Sequence, residues 1–130
     1  MNQVLPLVFH QTDLCERIDA LSETELDSLD FGVIGFDAEY VVRRYNAFES
    51  KLAGLAPHRV LGNKLFTVVA PCMNNFMVAQ RFEDAASDGA TLDETLDYVL
   101  TMRMQPFKVS LRLLASSRIA MRYVLVRRPS

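Results

Sequence analysis

Phe107-Lys108-Val109-Ser110-Leu111-Arg112-Leu113 alternates apolar and polar residues without a break. A period of two belongs to a strand with one face in a core and the other in water, which puts Lys108, Ser110 and Arg112 on the water side. Upstream of Pro106, Leu96, Tyr98, Leu100, Met102 and Met104 keep the same period, and Ile119 to Arg127 returns beyond the turn Ala115-Ser116-Ser117. Three strands therefore close the chain. Nearer the start, Phe31 to Phe36 and Tyr40 to Tyr45 flank Asp37-Ala38-Glu39 and read as a hairpin. Ala47, Phe48 and Leu52 then suit a short helix stopped by Gly54, and Pro57 opens a second. The longest helix is expected from a cap at Asn74 or Asn75 to about Asp88, with Phe76, Ala79, Phe82, Glu83 and Ala86 turned inward and Gly89 ending it. Ahead of the hairpin, Leu14, Ile18 and Leu21 follow Thr12 or Asp13 at helical spacing, and Ser22 with Glu25 has the form of a capping box. Two strands, helices and three strands predict an α+β fold: a five-stranded antiparallel sheet, short helices on one face, and an N-terminal helical cap.

The 130 residues suit a single domain, read as a cap over 1–28 and a core over 29–128. Apolar residues at 50% and charged ones at 23% are in globular balance, which argues against extended disorder. No apolar run reaches the ~18 residues of a spanning helix, and Met1-Asn2-Gln3 lacks the basic start of a signal peptide, so a soluble cytoplasmic protein with no membrane partner is expected. Cys15 and Cys72 stand far apart, and His10 and His58 are isolated, which leaves no zinc motif. No glycine pattern fits a nucleotide fingerprint, so a turnover enzyme is not expected. Residues 1–97 carry all 16 acidic residues against 7 basic ones, a balance of -9, while 98–130 carries +7. Such a basic tail suits a strand's solvent face better than a nucleic-acid surface.

Helices laid over one face of a sheet leave a pocket between the layers. Tyr45 ends a strand and Glu49 follows four residues later, so both can point to one side. Cys72 lies in Val68-Val69-Ala70-Pro71-Cys72, just ahead of the expected long helix, whose dipole would favour a thiolate. A free cysteine can equally be a small buried hydrophobe.

Taken together, Tyr45-Asn46-Ala47-Phe48-Glu49, Val60-Leu61-Gly62-Asn63 and Val69-Ala70-Pro71-Cys72 resemble the photoactive yellow protein family, blue-light receptors of the PAS fold. Leu26 to Ile34 looks like that family's approach to its first strand, and Met104 to Val109 resembles its link between the third and fourth strands, so the likeness spans about 22–128. It implies that Cys72 carries p-coumaric acid (4-hydroxycinnamic acid) as a thioester, and that Tyr45 and a protonated Glu49 hydrogen-bond the phenolate. It also implies a pocket of Ala53, Leu55, Leu65, Val69, Ala70 and Met104, with Met104 matching a methionine tied to thermal return. Light would isomerise this small-molecule chromophore, Glu49 would give up its proton, and the cap would signal to an unidentified downstream protein, from a monomer or weak dimer. Ala53 stands where the family commonly has threonine, Leu55 where it often has arginine and Leu65 where an aromatic is usual, so Tyr45 is expected to lose a partner. The main alternative is a PAS ligand-sensing or protein-interaction module without pigment. A thiol enzyme using Cys72, His58 and Glu49 is another. Nucleic-acid binding through Arg103, Lys108, Arg112, Arg118, Arg122, Arg127 and Arg128 lacks a recognition helix.

Overall fold

The computed structural model describes residues 7–101 and 106–129. Met102 and Met104, on the expected third strand, and Met104 as a pocket residue, lie outside the described residues. The chain runs α1 (Leu14–Asp19), α2 (Glu23–Asp27), β1 (Gly32–Phe36), β2 (Val42–Tyr45), α3 (Ala47–Ala53) and α4 (Pro57–Val60). A π-helical turn (Leu65–Val69) and a 3-10 turn (Pro71–Met73) lead to α5 (Ala79–Asp88), β3 (Leu92–Leu100), β4 (Phe107–Ala115) and β5 (Arg122–Arg127). The five strands form one antiparallel sheet in the order β2-β1-β5-β4-β3. The first strand thus ends beside the last, at the centre.

Strand alternation divides the core in two. Ile34, Phe36, Leu111, Leu113, Val124 and Val126 pack under α4, α5 and the two turns, whereas Val33, Leu114, Tyr123 and Leu125 pack with Leu14, Ile18, Leu26 and Phe31. Register keeps the sides matched, Leu113 opposite Val124 and Leu114 opposite Tyr123. The short helices lie on one face as expected and the N-terminal cap covers the other, so β1 and β5 are buried on both sides while β3 stays mostly exposed; what fails is the expectation of a water face on β4. Arg112 is the casualty of that expectation: it is 5% exposed rather than on a water face. Its guanidinium forks onto Asp93 at 2.8 Å and donates to the Phe9 and Gln11 carbonyls, so the N-terminal segment is bound to β4 where water was expected.

Local signals set most helix ends. Ser22 Oγ accepts from the Glu25 amide at 3.1 Å and Glu25 Oε1 accepts from the Ser22 amide at 2.8 Å, the reciprocal box expected for α2. Gly54 and Gly89 end α3 and α5 in the left-handed conformation. Helix α5 starts later than expected. Asn75 Oδ1 accepts from the Met77 and Val78 amides, which folds that asparagine into a separate turn and leaves Phe76 78% exposed. Phe82 and Ala85 form its inward face, while Glu83 and Ala86 are exposed. The last strand begins at Arg122 rather than Ile119, whose amide is spent on the Ser116 carbonyl in the turn. Leu52 is likewise exposed on α3. No described helix is long and apolar enough to cross a membrane.

Candidate functional site

Asn46 explains how the Tyr45–Glu49 segment is held. It N-caps α3 by accepting from the Glu49 amide at 3.1 Å and also accepts from the Val33 amide at 2.9 Å. Its side-chain amide donates to the Leu26 and Phe31 carbonyls, each at 3.0 Å. One buried asparagine therefore joins the end of α2, strand β1 and the start of α3. Tyr45, immediately before it, is buried in the helical-side cluster, and Glu49, one turn into α3, is wholly buried.

The Tyr45 hydroxyl does not lack a partner opposite Ala53. It donates to the Leu55 carbonyl at 3.1 Å, which also accepts from Ser50 Oγ at 2.8 Å. Burial first, and then the Glu49 charge, push the ionisation of Tyr45 well above the ordinary tyrosine range. Ala53 is buried near the end of α3, and Leu55, Leu65, Val69 and Ala70 pack with Tyr45 in one apolar cluster. Cys72 packs against the same cluster with part of its surface open.

Glu49 is engaged elsewhere. Arg128 Nη1 and Nη2 donate to its two carboxylate oxygens at 2.6 Å and 3.1 Å, and the arginine side chain is itself only 14% exposed. The seat is made by β1, since a Cβ added at Gly32 would lie 2.0 Å from Glu49 Oε1. Burial raises the Glu49 pKa above the ordinary carboxylate range, with Arg128 opposing the rise. Glu49 is the sole buried acid among the described residues.

Cys72 sits in the 3-10 turn, seven residues ahead of α5, so that helix's dipole, which fades within a turn, does not reach it as expected. Its carbonyl instead accepts from the Tyr98 hydroxyl at 2.5 Å and from Asn75 Nδ2 at 3.2 Å, and the Asn75 amide also donates to Tyr98 at 2.6 Å. The cysteine turn is thereby tied to β3. Cys15, in α1 on the opposite face, has a different environment: burial and then the charges of Asp19, Asp93 and Glu16 push its thiol up to about 11. Little of it is thiolate at neutral pH, which makes Cys15 a poor nucleophile. His58 is exposed on α4 and makes no hydrogen bond to Cys72 or Glu49. No cluster of three or more potential metal ligands occurs among the described residues.

Sequence reasoning brought Tyr45, Glu49 and Cys72 forward but missed Asn46, Tyr98, Gly32 and Arg128 as site residues. Gly32 carried a signal, because a strand glycine marks a close approach. Arg128 was hidden in a basic tail. A groove of about 1120 Å³ is lined by Met77, Tyr98, Lys108, Arg127 and Arg128, and so holds both the tyrosine that binds the Cys72 carbonyl and the arginine that grips Glu49.

The profile described as PAS fold matches residues 26–128. Over 105 residues the chain is 31% identical to the photoactive yellow protein of Rhodothalassium salexigens and 32% identical to that of Halochromatium salexigens, covering 81% of this chain and 83% of each relative. Its structure superposes with a TM-score of 0.79 on the crystal structure of the photoactive yellow protein domain from the sensor histidine kinase Ppr of Rhodospirillum centenum, at 37% identity, covering 87% of this chain and 98% of that domain. With the profile spanning most of the chain, and curated relatives above 30% identity over four-fifths of it, the chain belongs to the photoactive yellow protein family of PAS-fold proteins.

Proposed function

We propose that this chain is a blue-light photoreceptor that carries p-coumaric acid on Cys72 as a thioester and works as a receptor rather than by turnover. The observation that carries the reading is the gathering of Cys72 and Tyr45 on one apolar cluster, with the one buried acid, Glu49, a helical turn from Tyr45, in a member of this family. The residues fit the group by chemistry: a partly accessible thiol at the rim, and a phenol and a carboxyl in the interior.

When bound, the p-coumaroyl thioester supplies a conjugated double bond that light isomerises from trans to cis and a phenol that can ionise. Cys72 would hold it as a thioester, formed by attack of its thiolate on an activated acyl carbon with loss of the activating group. Leu55, Leu65, Val69 and Ala70 exclude water. Tyr45, once turned from the Leu55 carbonyl, and a protonated Glu49 would donate to the phenolate oxygen, and two charge-assisted hydrogen bonds would stabilise that anion in a low dielectric. Glu49 would then pass its proton to that oxygen and remain as a buried charge, which is costly unless paired. Asn46 offers the route outward, since it holds the Glu49 amide on one side and the Leu26 carbonyl at the end of α2 on the other. A shift of α3 is thereby felt by the cap, the surface that a downstream signalling protein would read.

The test is to mix purified protein with activated p-coumaric acid and record intact mass and visible absorption before and after a blue flash. One added acyl group on Cys72, lost in Cys72→Ser, with a band that bleaches and recovers, is expected. A folded protein that gains no mass would instead leave a PAS module that binds reversible ligands or partners.

A further inference from the structure

We infer that Arg128 is a positioning residue that holds Glu49 as a carboxylate, so that Glu49 becomes a proton carrier only when the guanidinium lets go. The pigment-free part of this inference stands on geometry alone; its consequence for colour rests on the function proposed above.

Both oxygens of Glu49 accept from Arg128, one from each terminal nitrogen. A carboxylate accepts at both oxygens, whereas a protonated carboxyl turns one of them to donating and accepts there only weakly, so the two-ended fork is the arrangement of an ion pair. The pair is built into the sheet. Gly32 leaves the space that the carboxylate occupies, and it stands opposite Val126 on β5, two residues before Arg128. Tyr45 shares no hydrogen bond with Glu49, because its hydroxyl is committed to Leu55. Arg128 also lines the open groove with Lys108, Arg127 and Asp97. Asp97 on the groove wall offers the guanidinium another anion. The guanidinium can leave Glu49 for water without crossing the core.

Two proton arrangements follow, with the same number of protons. With Arg128 on Glu49, the carboxylate stays ionised and a bound pigment keeps its own phenolic proton, because two neighbouring buried anions repel. With Arg128 released, Glu49 takes that proton and the phenolate accepts hydrogen bonds from Tyr45 and Glu49. The first arrangement absorbs at shorter wavelength than the second. Arg128 would thus set the fraction of protein that responds to blue light.

The first measurement uses the full pigment-free chain. Infrared spectra with ¹³C-labelled glutamate, assigned by the band lost in Glu49→Gln, report whether Glu49 is carboxylate or acid across pH. Carboxylate at neutral pH in the natural chain is expected, with its titration moved up by about 1–3 pH units in Arg128→Met, the usual effect of an adjacent opposite charge. Arg128→Lys, which keeps the charge and loses the fork, should fall between and covers the case in which the methionine variant folds poorly. An acid band at neutral pH in the natural chain, or an unmoved titration in both variants, would overturn the inference. The second measurement loads the pigment, and Arg128→Met should raise the blue fraction at the expense of the shorter-wavelength one. If no pigment attaches, the proposed function fails while the infrared result still decides the role of Arg128.

Discussion

Gly32 and Gly35 stand three residues apart on β1, face opposite sides of the sheet, and each makes room for a charged group. On the cap side, a Cβ at Gly35 would meet the Tyr123 ring at 2.8 Å and Arg44 Cβ at 3.0 Å. Arg44 there donates to the Ile18 carbonyl at 3.0 Å, to the Leu21 carbonyl, and to the Tyr123 hydroxyl at 2.9 Å, while Tyr123 donates to Asp19 at 2.6 Å. On the site side, the Cβ at Gly32 would meet Glu49 first, its carboxylate Oε1 at 2.0 Å and its Cβ at 3.1 Å. The cap arginine is mainly a clamp on backbone carbonyls, and the one carboxylate it takes, Glu23 at 3.0 Å, lies in water. The site arginine grips a carboxylate that is wholly buried, so its charge state is felt by the core. One face is thus built to hold and the other to respond.

Substitutions at the two glycines should separate these behaviours. Gly35→Ala is expected to cost the most stability, about 3 kcal/mol, because rigid neighbours in a central strand cannot give way; urea unfolding should show it, with faster amide exchange across α1 and α2. Gly32→Ala should cost less, about 2 kcal/mol, since the carboxylate it displaces is the end of a flexible side chain. Its signature would be a Glu49 titration like that of Arg128→Met, and an unchanged titration would break the assignment of the seat. Ser22→Ala removes half of the capping box of α2 and should cost about 1 kcal/mol with no effect on Glu49, which would show that the cap can be loosened alone.

The smallest effect expected is a pH dependence. Burial raises the Glu49 pKa above its value in the unfolded chain, so between those two values the folded state binds more protons. Stability should therefore fall as pH rises through that window, by a few degrees of melting temperature or less. Glu49→Gln should remove that component of the slope. A natural chain whose stability rose instead across the window would show that Arg128 outweighs burial.

The fold was legible because its signals are local. Alternation from Phe107 to Leu113, the Ser22–Glu25 box and the stops at Gly54 and Gly89 depend on neighbours a few residues away. Where the reading went astray, a distant partner had intervened. Arg112 was placed in water by its alternation, yet Phe9, Gln11 and Asp93 supply the acceptors that let it be buried. Phe76 was placed inward by helical spacing, but Asn75 folded the segment into a turn before the helix could start.

The amino-acid sequence by itself determined the candidate chemistry: a cysteine in Val-Ala-Pro-Cys, and a tyrosine and a glutamate four residues apart, recognisable together through their resemblance to the family's motifs rather than one by one. It also determined the elements, since helix and strand periods are written along the chain. Tertiary structure alone decided the company those residues keep. Glu49 and Arg128 lie 79 positions apart, and what joins them is the pairing of β1 with β5. Whether a buried carboxyl is ionised depends on the charge beside it, and that charge arrives only when the last strand closes against the first.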